Sequence, residues 1–161
     1  MTEVVGIVRL GRRTKDLVKR LRPGDLAVID HVDLDRVSAE ELADSGVRAV
    51  VNVSPSSSGR FPNPGPLELV RAGVCLVDAL GSGLFDELSE GETVTVRGGS
   101  VWRNGTRLAE GVELTEATLV VALADQQSRV TEALESFADN TLRHLRDEGR
   151  LLAEEIGRAH V

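Results

Sequence analysis

The sequence predicts an α/β domain that ends in a long amphipathic helix. Three observations carry this reading. Short runs of Val, Leu, Ile and Ala alternate with helix-period segments up to Val77; the pattern changes to a period of two between Glu92 and Ala109; and no proline interrupts Glu116 to Ile156.

Val4 to Leu10 reads as a first strand, broken at Gly11. Thr14 to Leu21 places Leu17, Val18 and Leu21 on one side of a short helix, and Pro23-Gly24 stops it. Asp25 to Asp30 is an apolar strand of the kind buried on both faces of a sheet. Ser38 and Glu41 have the spacing of a capping box, which predicts a helix over 38–45 ending at Gly46. A strand from Val47 to Val53 follows, then the loop Ser54 to Pro66. Pro66 suits the first turn of a helix because its missing N–H would be unpaired there. That helix runs from Leu67 to Ala72, and Gly73 leads into a strand over Val74 to Val77. Strands alternating with helices in this order imply parallel pairing through right-handed crossovers. The texture then changes: Glu92 to Val96 alternates strictly, Gly98-Gly99 turns, Ser100 to Arg103 alternates again, and Asn104-Gly105 signals a hairpin before Thr106 to Ala109. This predicts a small antiparallel β unit.

The expected organisation is a domain over 1–115, a helix over 116–157 and a tail over 158–161. The helix carries Val120, Leu123, Val130, Leu134, Phe137, Ala138, Leu142, Leu145, Leu152 and Ile156 at helical spacing. About 40 residues at 1.5 Å each extend roughly 60 Å, more than a small domain can cover. Gly149 is its weak point, costing about 1 kcal/mol against alanine. The stripe is expected to be buried between molecules, in a homodimer or against a partner helix, with Val130, Leu134, Phe137, Ala138, Leu142 and Leu145 as anchors. Folding back on the domain is the competing arrangement.

Composition narrows the function. Among 161 residues, 41% are hydrophobic and 2% aromatic, so the core is aliphatic and few rings are available to stack on bases. A net charge of −7 disfavours nucleic acid and anionic membranes as partners. The local exception is Arg12, Arg13, Lys15, Lys19, Arg20 and Arg22, read as a solvated helix face or a site for an acidic partner. Cys75 is the single cysteine and lies in an apolar run, as a small buried hydrophobe would. No leader-like segment opens the sequence and no apolar run reaches membrane-spanning length, so a cytoplasmic protein without membrane insertion is expected.

Two polar constellations stand out. Asp30, His31 and Asp33, with Asp35, follow an apolar strand and offer carboxylates and an imidazole to a metal (a weak signal without a second cluster) or to an acid/base pair, or else hydrogen bonds to loop backbone. The loop residues Ser54, Ser56, Ser57, Ser58, Gly59, Arg60 and Asn63 lie between a strand end and a helix start. Backbone N–H groups and a guanidinium there make either an anion site or a proline-stiffened surface loop. No metal site or cofactor is indicated, and no Walker-type Gly-Lys-Ser occurs.

The order of strands, with Leu88-Ser-Glu-Gly-Glu-Thr-Val-Thr-Val96 opening the hairpin unit, resembles the swivelling β/β/α phosphohistidine domain over Asp25 to Val101. The loop 54–66 holds no histidine, so that family's phosphotransfer is not expected. Two longer stretches, Arg12-Arg-Thr-Lys-Asp-Leu through Asp25-Leu-Ala-Val-Ile-Asp-His to Ser38, and Val50-Val-Asn-Val-Ser-Pro-Ser-Ser-Ser-Gly-Arg-Phe-Pro-Asn-Pro-Gly-Pro66, resemble the N-terminal part of the actinobacterial SteA family. The resemblance implies a non-enzymatic cytoplasmic cell-division factor at the septum. It would work with a membrane-bound coiled-coil partner, SteB, to regulate cell-wall hydrolysis at separation. Full-length members continue into a thiamin pyrophosphokinase-like domain, whose chemistry is not assigned to these residues. The alternative is a phosphate- or nucleotide-binding enzyme or sensor built on Arg60, the serine loop and Asp30-His31.

Overall fold

Fourteen short and long elements follow one another along the chain, and the computed structural model describes residues 2–159, with side chains to 151. The first strand β1 spans Glu3–Leu10. A single turn α1 (Thr14–Leu17) tightens into a 3₁₀ turn over Val18–Arg20. Then come β2 (Asp25–Ile29), α2 (Arg36–Asp44), β3 (Ala49–Asn52), α3 (Gly65–Arg71) and β4 (Cys75–Asp78). The turn α4 (Leu84–Glu87) precedes β5 (Thr93–Arg97), β6 (Ser100–Arg103), β7 (Thr106–Ala109) and β8 (Val112–Leu114). The last helix, α5, runs from Glu116 to Ala159.

All strands belong to one sheet in the order β7-β6-β5-β1-β2-β3-β4-β8. Its centre is parallel, with Val8 opposite Leu26, Leu26 opposite Ala49 and Ala49 opposite Cys75. The expected antiparallel unit is not separate. β5 pairs antiparallel with β1, from Glu3 opposite Arg97 to Ile7 opposite Thr93, and so extends the parallel sheet sideways. β8 closes the other side, antiparallel to β4. The two wings meet at the β5–β6 turn, where a Cβ on Gly99 would lie 2.8 Å from the Gly111 carbonyl oxygen. Only glycine allows that approach, and Gly99 also has φ near +85°.

Aliphatic side chains fill both faces, as the continuous apolar runs of the central strands require. On one face Val8, Leu26, Val28, Val51 and Val77 pack with Leu84, Leu88, Val94, Val96 and Val101. On the other, Ala27, Ile29, Val50 and Leu76 pack with Leu17, Leu34, Leu42 and Leu69. Each fully buried leucine contributes about 1.5–3 kcal/mol relative to exposure.

Several local expectations are corrected. Helix α2 starts at Arg36, so Ser38 lies inside it and makes no cap hydrogen bond. Asp35 takes the extended cap position, and its carbonyl accepts the Ala39 N–H at 2.9 Å. Helix α5 is the one with reciprocal capping: the Thr118 N–H donates to Thr115 Oγ1 at 3.3 Å and the Thr115 N–H to Thr118 Oγ1 at 3.3 Å. The single turn α4 and the three-residue β8 were not expected; both are too short to show a period. Cys75 is half-buried rather than fully enclosed. Its thiol donates to Glu113 Oε1 at 3.3 Å, and burial, with Glu113 adding to it, pushes its pKa up to about 12.

The helix α5 has two parts. Its first turns lie on the domain: Arg71 pairs with Glu116 at 3.0 Å, Leu119 and Leu123 are half-buried, and Gln126 is 8% exposed. From Gln127 to Leu151 every side chain is exposed, so the tail does not fold back. Leu152 and Ile156 of the predicted stripe, and the end of the tail at 160–161, lie outside the described side chains and residues respectively. Among the described residues no helix is long and apolar enough to cross a membrane.

Candidate functional site

The carboxyl ends of β2, β3 and β4 bring the two predicted polar constellations together. β2 ends before Asp30-His31, β3 ends in Asn52 before the serine loop, and β4 ends in Asp78. Asn52, with no exposed surface, ties the three. Its Oδ1 accepts the His31 N–H at 3.0 Å and the Ser54 N–H at 3.1 Å. Its Nδ2 donates to the His31 carbonyl at 2.8 Å and to Ser56 Oγ at 3.0 Å.

Three aspartates then take the serine hydroxyls. Ser54 Oγ donates to Asp30 in a short contact. Ser56 donates to Asp78 through Oγ at 2.6 Å and through its N–H at 3.1 Å. Ser58 donates to Asp33 through its N–H at 2.6 Å and through Oγ at 2.9 Å. The loops are also zipped by backbone: the Asp33 N–H donates to the Pro55 carbonyl at 3.0 Å and the Leu34 N–H to Ser56 at 2.8 Å. Gly65 is required at their crossing, since a Cβ there would stand 2.1 Å from the Leu34 carbonyl oxygen. Asn63 Oδ1 accepts the Gly65 N–H at 3.0 Å, and its Nδ2 donates to the Ser56 carbonyl at 3.3 Å.

Of the two readings of Ser54 to Asn63, an anion site or a proline-stiffened surface loop, these hydrogen bonds favour the second. Ser54, Ser56, Ser58 and Asn63 are engaged within the chain, and an anion in the loop would face Asp30, Asp33 and Asp78 instead of free N–H groups. The proline- and serine-rich loop is ordered because these carboxylates satisfy it. Two of its polar groups remain outside the network. Ser57 Oγ is buried without a partner, and the exposed Arg60 has no ion pair among the described residues.

The aspartate–histidine cluster is likewise turned apart. Asp30 pairs with Arg12 at 3.0 Å, and the Arg12 guanidinium also stacks 4.3 Å from the Phe85 ring centroid. His31 Nδ1 lies 2.8 Å from Thr14 Oγ1, and its Nε2 lies 3.6 Å from Asp35. Asp33, with φ near +56°, is held by Ser58. Among the described residues no group of three or more His, Cys, Asp and Glu side chains converges as a metal site would. Of the other basic residues, Arg20 pairs with Glu90 and Lys19 reaches Asp16 at 4.0 Å, as a solvated face does.

The sequence reading missed Asn52, Thr14, Asp78 and Gln126. Asn52 and Asp78 each close an apolar strand, the one signal available for them. Burial pushes the Asp78 carboxyl above the usual carboxylate range, and the Ser56 bonds act against that shift. Beside Asp78, the first turns of α5 cover a cleft of about 280 Å³, lined by Ser57, Asn63, Asp78, Leu114, Leu119 and Gln126 among others.

Fold and site together define an α/β domain with a hydrogen-bonded polar cluster at the carboxyl ends of its parallel strands and a projecting C-terminal helix. No family model matches the sequence, and no curated protein does. Solved structures similar to parts of the chain include the following two. The 3-isopropylmalate dehydratase LeuD of Methanocaldococcus jannaschii is 13% identical, with a TM-score of 0.45, over 82% of this chain and 99% of that one. Streptomyces coelicolor RraAS2, an unusual member of the RNase ES inhibitor RraA family, is 12% identical, with a TM-score of 0.41, over 85% of this chain and 76% of that one.

Proposed function

We propose that this protein is a non-enzymatic cell-division module of the SteA type, whose helix α5 pairs with a second copy and receives a membrane-anchored coiled-coil partner at the septum. The observation that carries this is the exposed apolar face of α5. Leu134 is 63% exposed, Phe137 70%, Leu142 53% and Leu145 57%, all on a helix segment that leaves the domain. Beyond Gln126 the helix continues for about 50 Å at 1.5 Å per residue. Such a face left in water carries a cost that a second helix removes. The likeness of Arg12 to Ser38 and of Val50 to Pro66 to the SteA family supplies the division context. A parallel centre with antiparallel wings supports the narrower likeness to the swivelling β/β/α domain.

The polar cluster favours the same reading over catalysis. Its carboxylates and hydroxyls bond one another and hold two loops in place, as a scaffold does. Cytoplasmic residence and regulation of cell-wall hydrolysis follow from the SteA likeness and stand or fall with it. Expressed as a fluorescent fusion in an actinobacterium, the chain should form a band at the septum, and the Leu134→Asp/Phe137→Asp variant should be diffuse. A septal band unchanged in that variant would remove α5 from the mechanism. A wild-type fusion that never reaches the septum would remove the division role.

A further inference from the structure

Helix α5 leaves the domain beside a shallow cleft of about 270 Å³, walled by Arg60 and Phe61 of the serine loop and by Arg129, Val130 and Ala133 of the helix. Phe61 is 49% exposed and Val130 40%, and the apolar stripe runs on from Val130 through Leu134 and Phe137. The stripe therefore begins in the cleft. Its rim there is basic: Arg60 has no ion pair among the described residues, and Arg129 meets Asp125 at 2.8 Å.

Charge is ordered along the part of α5 that stands clear of the domain. Glu132, Glu135 and Asp139 come first, with no basic residue over 130–142. Arg143, His144 and Arg146 follow, with no acidic residue over 140–146. Beyond Arg150 the sequence turns acidic again at Glu154 and Glu155, between Leu152 and Ile156. Past Arg129 the ion pair along the described helix is His144 with Glu148 at 3.1 Å, so Glu132, Glu135, Asp139, Arg143 and Arg146 have none among the described residues. From foot to tip the order is basic, acidic, basic, acidic. Reversed end to end, that order is its own complement.

We infer that a second copy of α5 packs antiparallel on this face, its acidic last turns seated in the cleft beside Phe61 against Arg60 and Arg129. A two-fold axis near Thr141 sets position 137 opposite 145 and position 130 opposite 152, apolar facing apolar, and sets the acidic block 132–139 opposite residues 143–150. A parallel pair would lay acidic block on acidic block and basic on basic, which like charges oppose. The inference rests on the self-association proposed above, and adds its direction and the place where the helix end is received.

Light scattering and double electron–electron resonance on one sample test it, with a nitroxide on Ser128→Cys in a Cys75→Ser chain. Ser128 is exposed and outside the stripe. At 1.5 Å per residue, the antiparallel pair separates the two labels by about 40 Å, and a parallel pair by about 10 Å. Twice the chain mass with the long distance is expected. Twice the chain mass with the short distance overturns the antiparallel seating and leaves self-association standing. A single chain mass at high micromolar concentration overturns both and leaves the face to a helix of another protein. Arg60→Glu should weaken the dimer by about fivefold or more, and adding Glu154→Lys and Glu155→Lys should regain the loss. Within one chain those positions lie about 40 Å along the helix from Gln126, so such a rescue acts between copies. Arg60 is exposed in a loop, and an unchanged far-UV circular dichroism spectrum establishes that the variant keeps the fold. An affinity unchanged by Arg60→Glu, or a loss not regained in the combined variant, overturns the seating at the cleft.

Discussion

Asn52 stands where three segments meet, and among the described residues its amide is the sole side chain that bonds both the His31 backbone and the serine loop. Asn52→Leu preserves volume but leaves the His31 and Ser54 N–H groups and the His31 carbonyl without their partner. Urea unfolding should show a loss of about 3 kcal/mol or more, because buried polar groups left unpaired cost more than the bonds they made. A second residue-scale prediction concerns acid. Glu92 accepts two bonds from Arg103, Nε at 2.7 Å and Nη2 at 2.8 Å, and one from the Ser89 N–H at 2.6 Å. Arg103 first, then Ser89, lower its carboxyl from 4.5 to about 2. A carboxyl lowered on folding adds stability above its unfolded value and loses it as pH falls through the folded one. Glu92→Gln should therefore be less stable than the wild type at neutral pH, and the gap should close between about pH 4.5 and pH 2. A gap that stays constant across that range contradicts the assignment. These residues were hard to read from sequence for one reason: each acts through a partner more than two residues away, and no local period records that.

At the scale of elements, most strands and turns were legible, as were the starts of α1 at Thr14 and of α5 at Glu116, but the start of α2 and the short α4 and β8 were not. Asn104-Gly105 marks a hairpin turn with φ near +49° and +80°, the primed-turn geometry that this dipeptide favours. The S-x-x-E spacing at Ser38 misplaced the start of α2, because the close approach of the Gly65 backbone to Leu34 and Asp35 fixes where the chain enters that helix. Tertiary contact outweighed a local cap. Helix α5 was legible as a helix but not as two halves, since its stripe continues unbroken from the part that lies on the domain to the part that leaves it. The division yields a prediction. A chain ending at Ala133 should keep the domain's melting temperature, whereas one ending at Thr115 should lower it by stripping Leu119, Leu123 and Gln126 from the domain. Phe137→Ala should leave domain unfolding unchanged, because the ring is 70% exposed, and should weaken self-association by about tenfold or more. Lost domain stability with intact self-association would contradict it.

For the molecule as a whole, alternation of apolar runs and helices was enough to give the parallel centre, because strands buried on both faces leave that mark in any register. The joining of the antiparallel unit to β1 was not legible, since the paired strands lie some 90 residues apart and no local period records their pairing. The candidate site was half legible. Serines and aspartates were identified as polar clusters, but that they would satisfy one another emerges only when β2, β3 and β4 lie side by side. The central claim is that α5 assembles this protein with a second copy. Light scattering coupled to size exclusion, on the full chain at micromolar to high micromolar concentration, measures it directly. The account predicts twice the 17.3 kDa chain mass, falling to the single mass when the chain ends at Ala133. A single chain mass at high micromolar concentration for the intact protein would contradict it.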